Sequence, residues 1–227
     1  MEKYLYVNRP KDINRIFLSK KFIGAGSEGS AYLTVGNKLL KIFHEYRNTS
    51  YLDSEKENII MAQDYNLKSF YFPETLFICN GLVEGYLSDY FEGNILDYSN
   101  KDIVDYFSSD DDATEDEKRF IKMFIANDIN RINSKKVLEA REKLIADTKI
   151  LTDDHIVLYD IYLNLLFNGS EFGVVDTLQF YTDPRITLDQ NIKYIDNAIL
   201  GGLHIYDESF KPDYSLSVEE NLQRIRN

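Results

Sequence analysis

The chain has no tryptophan, one cysteine and no long apolar run in its 227 residues. Each shortage excludes something. One thiol, Cys79, allows no intrachain disulfide and no cysteine-built zinc site, and it fits a reducing cytoplasm. No apolar stretch approaches the roughly 20 residues that span a bilayer as a helix. The start, Met1-Glu2-Lys3-Tyr4-Leu5-Tyr6-Val7, lacks the apolar core of a secretory signal. Positive charge is also scarce. Lys and Arg number 26 against 38 Asp and Glu, a formal net charge of −12. That balance speaks against nucleic acid or an anionic membrane as the main partner. His44, His155 and His204 stand apart with no metal-ligand spacing, the methionines form no cluster, and there is no internal repeat or low-complexity segment. What remains is 44% hydrophobic, enough for the core of one large domain or two joined lobes.

The most informative stretch is Phe22-Ile23-Gly24-Ala25-Gly26-Ser27-Glu28-Gly29-Ser30-Ala31-Tyr32, followed by Lys38-Leu39-Leu40-Lys41-Ile42-Phe43. Gly24, Gly26 and Gly29 have G-x-G-x-x-G spacing between β-prone runs. Glycines let backbone approach phosphates with no Cβ in the way. A helix directly after the glycines would signal a dinucleotide fold. Here Tyr32-Leu33-Thr34-Val35 reads as a strand instead, and no G-K-[ST] follows, which excludes a P-loop. Lys41 alternates with apolar neighbours, so it lies on one face of the next strand. There it supplies a cation for the same phosphates. A buried lysine needs a carboxylate partner. A helix expected over 50–65 offers Glu57, with Glu55 as the alternative, because Ser54-Glu55-Lys56-Glu57 also reads as a capping box.

Segments Asn14–Leu18, Lys21–Ile23, Ala31–Val35 and Leu39–Phe43 read as strands, with Gly36-Asn37 as a tight connection. Asn80-Gly81 between Thr75–Cys79 and Leu82–Leu87 is a strong hairpin signal. Residues 1–90 are thus expected to form a mostly antiparallel sheet with one helix. Beyond an acidic stretch around Asp110–Glu117, read as a solvated loop, the pattern turns helical. Helices are expected from Thr114, over Ser134–Thr148, over Thr187–Leu200 and over Ser217–Ile225. Capping-box spacing marks Thr187/Gln190 and Ser217/Glu220. One hairpin, Leu165–Val175, interrupts them.

A second polar cluster flanks that hairpin. Asp160 and Asn164 precede it, and Asp176 ends it. Oxygen ligands at strand ends suit Mg²⁺, and a carboxylate there can accept or orient a hydroxyl proton. Either aspartate alone would pass as an ordinary turn residue.

In this order the motifs resemble the protein-kinase fold, over residues 14 to about 200. The resemblance implies an α+β, bilobal protein kinase-like chain. Residues 1–90 would be the antiparallel-sheet N-lobe with one helix, and 91–227 a shortened, mainly helical C-lobe. Gly24, Gly26 and Gly29 match the glycine-rich loop, Lys41 the strand-three lysine and Glu57 its helix partner. Ser88 takes the gatekeeper place, and the hinge backbone at Asp89 and Phe91 would hold adenine. Asp160 matches the catalytic-loop aspartate. Asp176 matches the metal-binding aspartate of Asp-Phe-Gly, with Asn164 as the candidate second metal ligand. The implied cofactors are ATP and Mg²⁺, and the implied activity is phosphate transfer to a protein Ser/Thr or a small hydroxylated molecule. The sequence also departs from the pattern. Leu158-Tyr159 replace His-Arg, Asn164 stands one place early, Thr177-Leu178 replace Phe-Gly, and no Ala-Pro-Glu follows. Residues 177–227 are too few for the full helical platform that docks peptides. These departures keep open a pseudokinase that binds nucleotide or a partner without catalysis.

Overall fold

The computed structural model describes residues 3–26, 28–44, 62, 64–95, 132–207 and 209–225. Glu57, Glu55, Ser27, the helix starting at Thr114 and nearly all of the helix expected over 50–65 lie outside the described residues. The fold is α+β. The chain divides into two compact units, Met1–Asn66 with Tyr71–Tyr90, and Leu67–Phe70 with Phe91–Asn227.

The first unit is built on a mixed six-stranded sheet. Its strands are β1 (Tyr4–Tyr6), β2 (Lys20–Ala25), β3 (Gly29–Thr34), β4 (Lys38–Phe43), β5 (Pro73–Cys79) and β6 (Leu82–Asp89), in the order β1-β5-β6-β4-β3-β2. Every pairing is antiparallel except β1 on β5. Turn chemistry sets the hairpins. Asn80 and Gly81 both take left-handed backbone (φ 52° and 82°), as the two-residue turn between β5 and β6 requires. Asn37 does the same (φ 56°) between β3 and β4. Cross-strand partners share a face. Leu40, Leu87 and Phe77 lie on one side, where they pack with Ile13 of α1 (Lys11–Ile16) to form the core, together with Leu5, Phe17, Tyr32 and Ile42. Lys41, Ala31 and Tyr86 lie on the other face.

Helix α1 replaces the strand expected over Asn14–Leu18. Ile13, Ile16 and Phe17 have helical spacing, Pro10 opens the turn, and the Asp12 carboxylate accepts the Arg9 N–H at 3.1 Å. Ile13 is fully buried against the sheet. A strand there would have divided this apolar group between two faces.

The second unit is organised by two long helices, α2 (Ser134–Asp153) and α3 (Leu188–Tyr206), and a short one, α4 (Val218–Arg224). Both expected capping boxes form, at Thr187/Gln190 and Ser217/Glu220. Helix α2 runs past Thr148 because Leu151 continues the buried stripe of Val137, Ala140 and Leu144. Its buried threonine hydroxyls, Thr148 and Thr152, donate to carbonyls four residues back. Arg141 donates from Nε and Nη2 to both oxygens of Asp196 (2.6 and 2.9 Å), fastening α2 to α3. That pairing holds the guanidinium pKa above its ordinary value, against the effect of burial.

Small strands fill the remainder of this unit. β7 (Asn94–Ile95), β9 (Leu165–Phe167) and β10 (Phe172–Val174) form one sheet, and β8 (Ile156–Val157) pairs with β11 (Tyr181–Thr182). Residues Leu67–Phe70 join it through the Val174 N–H, which donates to the Ser69 carbonyl at 2.7 Å. Among the described residues no helix is long and apolar enough to cross a membrane.

Candidate functional site

The glycine turn lies between β2 and β3. A register shift between Phe22 and Gly24, one extra residue, bends β2 just before the first glycine. The three glycines then differ. A Cβ on Gly24 or Gly26 would meet nothing within 4 Å, and neither residue has the positive φ that favours glycine. A Cβ on Gly29 would collide with the Ile42 carbonyl of β4. Gly29 is therefore required by packing. Gly24 and Gly26 border open space, where a side chain would meet no neighbour. The turn is held by the Gly26 N–H donating to the Gly29 carbonyl at 2.9 Å. The His44 amide also reaches the Glu28 carbonyl at 2.9 Å, and His44 Nε2 lies 3.2 Å from the Gly26 carbonyl.

Lys41 sits in the middle of β4, opposite Ala31 and Tyr86, and is only 9% exposed. Its Nζ lies 3.8 Å from Oε2 of Glu28 and 5.6 Å above the Phe43 ring. The sequence pattern points to a partner on the following helix, whereas Glu28 lies inside the turn itself. At the far end of β4, Lys38 donates to Glu74 (2.7 Å) and to Asp89 (2.6 Å). Burial alone would lower the Lys38 pKa, but these hydrogen bonds and charges raise it. Asp89, the expected hinge residue, is thereby fixed at the end of β6. Ser88 beside it is fully buried and donates to the Asp89 carbonyl at 3.2 Å.

In the second unit Asp160 and Asp176 share an unusual backbone. Both adopt left-handed conformations (φ 60° and 56°), and each stands at the start of a short 3₁₀ turn, Ile161–Leu163 and Thr177–Gln179. The same backbone occurs in the turns at Asn37, Asn80 and His155, and aspartate adopts it more readily than most residues with a Cβ. Asn164 connects the two. Its Nδ2 donates to the Asp160 carbonyl at 2.9 Å, and its own carbonyl accepts the Val175 N–H at 2.9 Å. Asn164 thus ties the backbone at Asp160 to Val175, the residue before Asp176. With Nδ2 engaged, Asn164 has its amide oxygen to offer a hard cation, the donor type that suits Mg²⁺. Among the described residues no three His, Cys, Asp or Glu side chains gather into a metal cage.

Buried contacts support this pair from below. Asn191 of α3 is fully buried. Its Oδ1 accepts the Leu158 N–H at 3.0 Å, and its Nδ2 donates to the Ile156 carbonyl and Thr152 Oγ1, both at 2.8 Å. Gly201 has no room for a Cβ because the Tyr162 ring lies on it, seating the turn after Asp160 on α3. The Phe91 ring packs in the same way on Gly173 of β10 and on Gly93. Leu158 is fully buried, so the position where the kinase pattern has His serves the core here. Among the described residues Thr177 Oγ1 is the buried side-chain polar atom without a hydrogen-bond partner, and it adjoins Asp176.

No protein-family model matches the chain, and neither does any curated protein. Asn191, Gly201, Glu28 and His44 were not identified from sequence. Asn191 did leave a signal, since it lies on the buried stripe of Ile195 and Ala198 at helical spacing. A polar residue on such a stripe requires an internal partner.

Proposed function

We propose that this chain is a compact, protein kinase-like phosphotransferase that uses ATP and Mg²⁺ to phosphorylate a hydroxyl group on a protein Ser/Thr or a small molecule. The first unit acts as the nucleotide-holding N-lobe and the second as a reduced helical C-lobe. The backbone at Gly24 and Gly26 covers the phosphates. Lys41 binds their α and β oxygens, with Glu57 as its helix partner, and the backbone at Asp89 and Phe91 holds adenine. Asp176 and Asn164 would hold Mg²⁺, whose contribution is to neutralise charge developing on the phosphates. Asp160 orients the acceptor hydroxyl and takes up its proton. Few side chains are needed, because such catalysis is mostly positioning and electrostatics. The single buried thiol, Cys79, agrees with a cytoplasmic setting.

The observation that carries this reading is the pair of left-handed aspartates, Asp160 and Asp176, joined through Asn164. The open space beside Gly24 and Gly26 leaves room for the nucleotide's phosphates. A second reading, a nucleotide- or partner-binding pseudokinase, draws on the early place of Asn164 and on Leu158-Tyr159 standing where the kinase pattern has His-Arg, with Leu158 fully buried.

Mg²⁺-ATP binding and ATP turnover, measured on the natural chain and three variants, separate the possibilities. Lys41→Met and Asp176→Asn are expected to weaken Mg²⁺-ATP binding. Asp160→Asn is expected to bind normally and to lose turnover by about 10²–10⁴-fold. Turnover surviving in all three variants would overturn the mechanism. Nucleotide binding without turnover in the natural chain would favour the pseudokinase.

A further inference from the structure

We infer that Glu28 is a built-in competitor for Lys41 that sets the affinity of the glycine turn for phosphate; the inference rests on the nucleotide reading above. Glu28 stands between Gly26 and Gly29, within the segment that would cover a triphosphate. Its Oε2 lies 3.8 Å from Lys41 Nζ, and both side chains are largely shielded, at 27% and 11% exposed. The backbone fixes this pairing. The His44 amide holds the Glu28 carbonyl, and the His44 ring reaches the Gly26 carbonyl, so the turn is laid on the end of β4 with its carboxylate facing the strand lysine.

A phosphate held against the backbone at Gly24 and Gly26, which borders open space, brings further negative charge next to that carboxylate. Like charges at this range repel, and Lys41 has to exchange a carboxylate oxygen for a phosphate oxygen. Ligand binding therefore separates Glu28 from Lys41 at a cost to affinity. Adenosine carries no phosphate and bears no such cost. Glu28 thus discriminates among ligands by phosphate charge and keeps the lysine shielded when no nucleotide is bound.

The test uses the full chain, Glu28→Gln, Lys41→Met and the double variant, each first checked for a folded melting transition. Calorimetric titration of Mg²⁺-ATP should show Glu28→Gln binding about three- to tenfold more tightly than the natural chain, the scale of one partly shielded charge pair. Adenosine affinity should stay unchanged, and in the Lys41→Met background the gain should vanish. A nucleotide-free measurement accompanies this. The rate of Lys41 acylation by an amine reagent, read by mass spectrometry, should rise in Glu28→Gln. Unchanged acylation would overturn the pairing whatever ATP does. Faster acylation with unchanged Mg²⁺-ATP affinity would overturn the competitor role and leave the nucleotide reading standing. Faster acylation with no binding of ATP or adenosine by any variant would overturn the nucleotide reading, and the competitor role with it.

Discussion

The glycine turn rests on β4 through the amide and ring of His44 and through a hydrogen bond across its own ends, with open space beside Gly24 and Gly26. The aspartate loops are held differently. Asn191 anchors their entry from inside the core, Tyr162 is seated on Gly201, and Asn164 joins the two loops. One region is positioned by light contacts at the surface, the other by buried polar groups with little freedom. On the proposed reading the turn admits and releases a ligand, and such turns belong at the low-stability end of a structure. Groups that must aim a proton or a metal need a rigid shell behind them. Left-handed non-glycine backbone occurs at Asp160 and Asp176, as it does at Asn37, Asn80 and His155, and is absent from Gly24 and Gly26.

The largest effect should come from breaking the anchor of the rigid region. Asn191→Ala leaves the buried Leu158 N–H, the Ile156 carbonyl and the Thr152 hydroxyl without this partner. The expected loss of unfolding free energy is about 2–4 kcal/mol, since each orphaned buried group costs roughly 1–3 kcal/mol. Urea unfolding monitored in the second unit would measure it. A loss below about 0.5 kcal/mol, the range of ordinary surface substitutions, would mean that the region is not rigidly anchored, and the contrast would fail.

The next prediction sharpens the comparison inside the glycine turn itself. Gly29→Ala drives a Cβ into the Ile42 carbonyl, which is backbone and cannot yield easily. Overpacking of this kind costs about 1–3 kcal/mol. Gly26→Ala meets open space at negative φ, so its stability should be unchanged or slightly higher, by about 0.4–1 kcal/mol, through a less flexible unfolded chain. Mg²⁺-ATP affinity should move the opposite way, with Gly26→Ala binding more weakly although it is the more stable variant. Equal stabilities for the two would show that the glycines share one role.

Several of these features were legible locally. The Asn80-Gly81 turn and the capping boxes at Thr187 and Ser217 are decided by residues within a few positions of one another, and each forms as expected. Glycine spacing and the alternation around Lys41 likewise placed the turn on a strand pair. Helix α1 and the short strands β1, β7 and β11 escaped. Helix α1 has six residues, too short for periodicity to separate it from a strand. Strand β1 has three, and its parallel pairing with β5 joins Tyr4 to Leu76, a distant partner that no local pattern announces. The supporting contacts of the site are equally non-local. Leu158 and Asn191 meet across 33 positions. Glu28 was missed for a different reason. Capping and helical spacing drew attention to carboxylates after β4, while the pairing that brings Glu28 to Lys41 follows from the β3–β4 register.

The smallest predicted effect tests whether the aspartates are held under strain by their surroundings. Glycine and alanine both remove the carboxylate, so comparing Asp160→Gly with Asp160→Ala isolates the backbone. The same holds for Asp176→Gly and Asp176→Ala. Left-handed φ costs an alanine about 1–2 kcal/mol and a glycine almost nothing. Glycine loses part of that advantage because its unfolded chain is freer, by about 0.5–1 kcal/mol. The glycine variant at each site should therefore be more stable than its alanine counterpart by about 0.5–1 kcal/mol, read from thermal melts at one pH. Alanine equal to or better than glycine would mean that the left-handed conformation is not maintained in solution, and the rigid half of the comparison would lose its basis. The same reasoning favours asparagine for activity measurements at Asp160 and Asp176. Asparagine tolerates left-handed backbone, so lost turnover in those variants reports the missing carboxylate and not a rearranged loop.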